Sequence, residues 1–192
     1  MRFVGPILNA FHVELLTKLL RILYIGSRGP LSVIPLVKLL DAGQSVCAIG
    51  VDTDHTTGPR ADRIPVTVED PGSVEFLARR HDIPLIRLHG AWQLCADAIT
   101  EYMPHVILVS CFARRHPDVV LSIPSMGCFN LHPSLLPAYR GPLPLFWQVR
   151  DGCREFGVTL HQMTSRLDAG DIVGQTRLAM PDGVSGGQAS VL

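Results

Sequence analysis

The 192 residues carry no excess of either charge, since 17 lysines and arginines offset 17 aspartates and glutamates. With no long-range positive field, nucleic acid can be met only through a local patch. Aromatic residues make up just 6% of the chain, and no stretch approaches the roughly 20 apolar residues of a membrane span. The five cysteines, Cys47, Cys95, Cys111, Cys128 and Cys153, form no C-x-x-C pair. This argues against a disulfide framework and a structural zinc site, and leads to the expectation of reduced thiols in a cytoplasmic protein. His55, His81, His89, His105, His116 and His161 lack the helical i, i+4 pairing with a third ligand that metal sites use, so no metal is expected. Gly26-Ser27-Arg28-Gly29 is too short for the full dinucleotide fingerprint.

What is present is a globular composition, 47% hydrophobic and 18% charged, with a length suited to one principal domain. Residues 1–20 are apolar in patches, but Asn9, His12, Glu14 and Lys18 interrupt each one and no small-residue cleavage pattern follows. They read as an N-terminal extension ahead of a catalytic domain over 21–192. Because the sequence stops soon after Met180-Pro181-Asp182-Gly183, where a further helix would cover the last strand, truncation of a larger protein stays open.

Short apolar runs alternate with helical spacing along the rest. Arg21–Ile25 and 46–51 read as strands around a helix at 31–42, and helices at 72–81 and 92–102 alternate with strands at Leu85–Leu88 and Val106–Ser110. Repeated βα units imply an α/β fold, a Rossmann-like twisted, mostly parallel sheet with helices on both faces. Residues 53–63 read as an exposed loop. A strand at 157–163, the turn Asp168-Ala169-Gly170-Asp171 and a strand at 172–179 suggest an antiparallel edge near the C-terminus, and a short helix at 142–150 is expected to bury Phe146 and Trp147 in the core.

Phe129-Asn130-Leu131-His132 ends an apolar strand with two polar side chains on one face. Alone, Asn130 reads as a cap, His132 as a satisfied structural group and Asp168 as a turn former. Together with Pro133-Ser134-Leu135-Leu136-Pro137, Gly157-Val158-Thr159-Leu160-His161 and Leu167-Asp168-Ala169-Gly170, they form a pattern that resembles the 10-formyltetrahydrofolate-dependent formyltransferases over roughly 21–183.

The resemblance implies that Asn130 and His132 flank the formyl carbonyl and that Asp168 approaches His132 from the later loop. It implies an active-site loop at Ser134, Leu135, Leu136 and Pro137. Phe112, Ala113, Arg114 and Arg115 would hold the pterin ring of the co-substrate 10-formyltetrahydrofolate, chiefly by backbone. Thr164, Ser165, Arg166 and Leu167 would line the other side. Formyl transfer suits these residue types. Asn130 and a protonated His132 can each donate to the oxygen on which charge develops, a carboxylate at Asp168 is expected to raise the His132 pKa, and a water between the two can relay the proton.

Members of the family act on glycinamide ribonucleotide, initiator methionyl-tRNA or nucleotide-linked amino sugars. The missing C-terminal β-barrel of the tRNA group and the lack of a long basic insertion at 53–63 favour a small-molecule amine such as an amino sugar, with tRNA as the alternative acceptor. A catalytically silent folate-binding module and a 10-formyltetrahydrofolate hydrolase are the other readings.

Overall fold

The computed structural model describes residues 20–52, 70–181 and 183–191. Apart from Leu20, the extension expected over 1–20 lies outside the described residues, as does the loop at 53–63. In chain order the elements are β1 (Arg21–Ile25), α1 (Pro30–Asp41), β2 (Ser45–Asp52), α2 (Val74–Arg80), β3 (Leu85–Leu88), α3 (Trp92–Glu101), β4 (Val106–Ser110), α4 (Asp118–Leu121), β5 (Cys128–His132), α5 (Pro144–Arg150), β6 (Glu155–Gln162), β7 (Ile172–Ala179) and α6 (Gly186–Ala189).

The strands form one sheet in the order β3-β2-β1-β4-β5-β6-β7. Pairing is parallel from β3 through β5 and antiparallel from β5 to β7. Alternation along β1 explains the helices on both faces. Leu23 and Ile25 point toward α3 and α4, where they meet Cys95, Ile99 and Val120, whereas Tyr24 points toward α1 and α2, meeting Leu36 and Leu77. The antiparallel edge expected near the C-terminus is present, and begins one strand earlier than the 172–179 pair suggests, at the contact of β5 with β6.

β1 and β4 flank the point where the strand order reverses, the place at which open α/β sheets bind ligands. Helix α1 is fastened there by an irregularity in its own sequence. Pro35 sits inside the helix and has no N–H to offer the Leu31 carbonyl one turn earlier. The Ser110 hydroxyl, at the end of β4, donates to that carbonyl instead at 2.6 Å, while the Ser32 hydroxyl donates back to the Ser110 carbonyl at 2.7 Å. A residue that weakens an isolated helix therefore opens an acceptor that ties it to the sheet.

Phe146 and Trp147 correct the sequence expectation. They stand on the outward side of α5 at 55% and 39% exposure, stacked edge-on to each other, with the Arg150 guanidinium 4.2 Å from the Trp147 ring centre. α5 presents Gln148, not an aromatic ring, to the interior, and its side-chain amide donates to the Pro133 and Pro144 carbonyls at 2.8 and 3.0 Å. The aromatic pair is shielded by its own neighbours and a cation, which lets it stay at the surface.

Candidate active site

The chemistry-bearing residues of β5 and β6 are brought together by the antiparallel register. Asn130 lies opposite His161, and His132 opposite Thr159. Directly opposed residues of an antiparallel pair share a face, so strand alternation puts all four side chains on one side of the sheet. The His132 and His161 rings are nearly perpendicular, with centroids 6.3 Å apart. His132, Thr159 and His161 are buried and Asn130 is half-buried.

Hydrogen-bond partners fix which atoms are available. His161 donates from Nδ1 to the Gln162 carbonyl at 3.0 Å. In the neutral ring its Nε2 is then an acceptor, and the Asn130 amide donates to it at 3.3 Å. An amide nitrogen has two hydrogens, so Asn130 keeps a second N–H for a ligand. His132 donates from Nε2 to the Tyr139 carbonyl at 2.9 Å, leaving Nδ1 facing the carboxylate of Asp168.

Asp168 reaches both histidines from the β6–β7 turn. Its Oδ2 is 3.7 Å from His132 Nδ1 and its Oδ1 is 3.5 Å from His161 Nε2, while Oδ2 accepts from the Gly141 N–H at 2.8 Å. The expected approach to His132 is thus a charge contact longer than a hydrogen bond, and the carboxylate is divided between two rings. Burial alone would raise the Asp168 pKa. When His161 is protonated its Nε2–H is turned to Oδ1 and no longer accepts from Asn130; that hydrogen bond, the Gly141 amide and the charges of His132 and His161 together outweigh burial and hold the carboxyl below its ordinary value.

The turn that delivers Asp168 is tightly constrained. Asp168 itself is left-handed, at φ 46°, a conformation that aspartate and asparagine tolerate better than most residues. Two residues on, a Cβ at Gly170 would collide with the Gln162 carbonyl, standing 2.8 Å from its carbon. Gly170→Ala is therefore expected to cost about 1–3 kcal/mol of stability by overpacking against backbone that cannot yield. Urea unfolding of the purified variant measures this, and a midpoint equal to that of the parent protein would contradict it.

The segment Pro133-Ser134-Leu135-Leu136-Pro137 is fixed by groups from two strands, β6 and β7. Thr159, fully buried, donates to the Ser134 carbonyl at 2.6 Å and accepts from the Leu136 N–H at 3.1 Å and from Gln175 Nε2 at 2.9 Å. Gln175 also donates to the Leu136 carbonyl at 2.8 Å, and the Ser134 hydroxyl donates to the Ala138 carbonyl at 2.7 Å. Thr159→Val keeps the shape and removes the hydroxyl, leaving the Leu136 N–H buried without that acceptor. The expected loss is about 1–3 kcal/mol, measurable as a lowered melting temperature.

The residues expected to form the donor pocket divide among neighbouring clefts. Arg114, Arg115, Thr164, Arg166 and Leu167 line a cleft of about 50 Å³ with Asn130, His161 and Asp168. Ser165 borders the adjoining cleft of about 340 Å³, which Arg115 shares, and the Arg115 guanidinium donates to the Ser165 carbonyl across the boundary. Phe112 and Ala113 line a third, of about 290 Å³, at the strand-order reversal. The Arg114 side chain is engaged by Asp52 at 2.9 Å. Ser134, Leu135, Leu136 and Pro137 line none of these three clefts.

Two residues at this site were not singled out from the sequence. His161 stands in the sequence as the last residue of the Gly157-Val158-Thr159-Leu160-His161 motif without a role of its own, although with Thr159 it repeats the Asn130/His132 pattern of polar residues two apart on a strand. His116 lines both the 50 Å³ and the 340 Å³ clefts. Among the described residues no group of three His, Cys, Asp or Glu side chains is arranged to hold a metal ion.

Residues 66–184 match the family described as Formyl transferase. The methionyl-tRNA formyltransferase of Geobacter sulfurreducens is 36% identical over 166 residues, covering 85% of this chain and 49% of that protein. The chain spans about half the length of the curated relatives it matches. Among solved structures, phosphoribosylglycinamide formyltransferase from Bacillus halodurans shares the fold at a TM-score of 0.65 and 18% identity, covering 86% of this chain and 84% of that one. A formyltetrahydrofolate deformylase from Pseudomonas syringae pv. tomato does so at 0.69 and 17%, covering 88% and 54%.

Proposed function

The chain belongs to the formyl transferase family, and from that premise we propose that it moves a formyl group from 10-formyltetrahydrofolate to a primary amine, using Asn130, His132 and Asp168. The observation that carries this reading is the convergence of Asn130, His161 and Asp168 on one cleft, with one Asn130 N–H left for a reacting group and the buried His132 turning its Nδ1 to Asp168.

The amine nitrogen attacks the formyl carbon, a C–N bond forms to the acceptor, and the C–N bond to the folate breaks. The acceptor nitrogen gives up a proton and the folate nitrogen takes one. Asn130 donates its second N–H to the formyl oxygen as negative charge builds there. His132, when protonated at Nδ1, donates to the same oxygen or passes that proton to the leaving nitrogen. Asp168 is held too acidic to retain a proton itself, so its part is to keep negative charge against the imidazolium and to orient a water between carboxylate and ring. Thr164 and Leu167 border the donor on one side, and the backbone of Arg114 and Arg115 on the other.

For the acceptor, the two formyltransferases named above act, by name, on methionyl-tRNA or phosphoribosylglycinamide, and neither is an amino sugar. Methionyl-tRNA is therefore put ahead of the small-molecule amine expected from the sequence. The protein would be incubated with 10-formyltetrahydrofolate and, in turn, methionyl-tRNA, glycinamide ribonucleotide and a nucleotide-linked amino sugar, while tetrahydrofolate and formate are followed. Amine-dependent tetrahydrofolate without formate is expected. Formate release without any amine would replace the transferase by a hydrolase, and donor binding without turnover would leave a folate-binding module.

A further inference from the structure

His116 is 3% exposed, and neither ring nitrogen has a hydrogen-bond partner among the described residues. It lies between the Phe112 ring, 5.2 Å away, and the Trp92 ring, 5.5 Å away, both tilted against it. Burying one polar atom without a partner costs about 1–3 kcal/mol, and here one side chain buries two. Leucine or phenylalanine would fill the same space without that cost. Burial also holds the His116 pKa down to about 4, so the ring is neutral at physiological pH and presents one N–H donor and one acceptor. The ring borders the cleft that contains Asn130, His161 and Asp168 and also the larger one beside it.

We propose that His116 is a specificity-determining residue for the formyl donor, its imidazole hydrogen-bonding the edge of the pteridine ring while Phe112 and Trp92 supply the apolar wall. The inference rests on the folate reading above. A neutral imidazole complements a heteroaromatic edge that carries donors and acceptors side by side, which a pteridine does and a hydrocarbon ring does not. The stability lost in the free protein is recovered when ligand arrives, so the site discriminates against rings of the same size that cannot pair with it. His116 does not act on the formyl group and its role is in binding.

The test is calorimetric titration of the full chain with tetrahydrofolate, comparing the parent protein with His116→Phe and His116→Gln. The phenylalanine keeps the packing and removes both polar atoms, whereas the glutamine restores a donor and an acceptor. His116→Phe is expected to raise the Kd about tenfold or more with an unchanged or higher melting temperature, and His116→Gln to recover most of the affinity. Unaltered affinity in His116→Phe overturns the proposal. So does a loss shared equally by both variants, or one that comes with a lowered melting temperature, since either assigns His116 to packing. Absence of tetrahydrofolate binding by the parent protein would overturn the folate reading as well, and is read without any variant.

Discussion

Asp168→Asn is expected to lower kcat by about 10²–10⁴-fold, the range seen when a group serving proton transfer is removed, while leaving the fold in place. Asparagine is nearly the same shape, tolerates the left-handed backbone at this position and can still accept from the Gly141 N–H. What disappears is the negative charge between the rings of His132 and His161. Steady-state release of tetrahydrofolate measures the effect, and turnover within a few-fold of the parent protein would count decisively against the proposed scheme. The same substitution has a signature in stability. In the folded protein the Asp168 carboxyl titrates below its ordinary value of 3.8, so its ionised form favours the fold. That contribution is fully present above about pH 4 and is lost as the pH falls through the folded-state value. The parent protein should therefore lose stability on acidification more steeply than Asp168→Asn, as urea midpoints taken in steps below pH 5 would record.

Asn130→Ala should lower kcat by about 10²–10³-fold, the usual cost of deleting one donor to a developing oxyanion, with little change in KM for the folate. The side chain is half-buried at a strand end and its remaining partner is His161, so stability should change far less than turnover. A defect confined to KM would make Asn130 a binding residue instead.

The fold was legible because its helices and strands carry separate periods. The buried run at Val106–Ser110 and the helical spacing that became α1 are unambiguous at the level of composition and alternation. α4 and α6, at four residues each, are too short to establish a period. The surface position of Phe146 and Trp147 was not legible because hydrophobicity alone does not show that a neighbouring arginine and a second ring already cover part of each face. For the site, Asn130 and His132 were marked by their spacing and Asp168 by its place in the motif. His161 stands in the quoted motif, but its place beside Asn130 became visible only with the β5–β6 register, since a pairing across 31 positions of chain leaves no local trace. His116 was harder still, because its distinguishing property is that both ring nitrogens are buried without a partner among the described residues, which requires the positions of everything around it.

The register of β5 against β6 also bears on how a preparation of this protein can go wrong. Side chains alternate along a strand, so a slip of a single residue would turn His161 to the opposite face of the sheet and bring Leu160 or Gln162 opposite Asn130. A molecule folded with that error would contain every residue of the proposed catalytic set and lack their arrangement. Specific activity, set against total protein, then becomes a measure of folding fidelity at this one seam, with misregistered molecules counted as dead and not as slow.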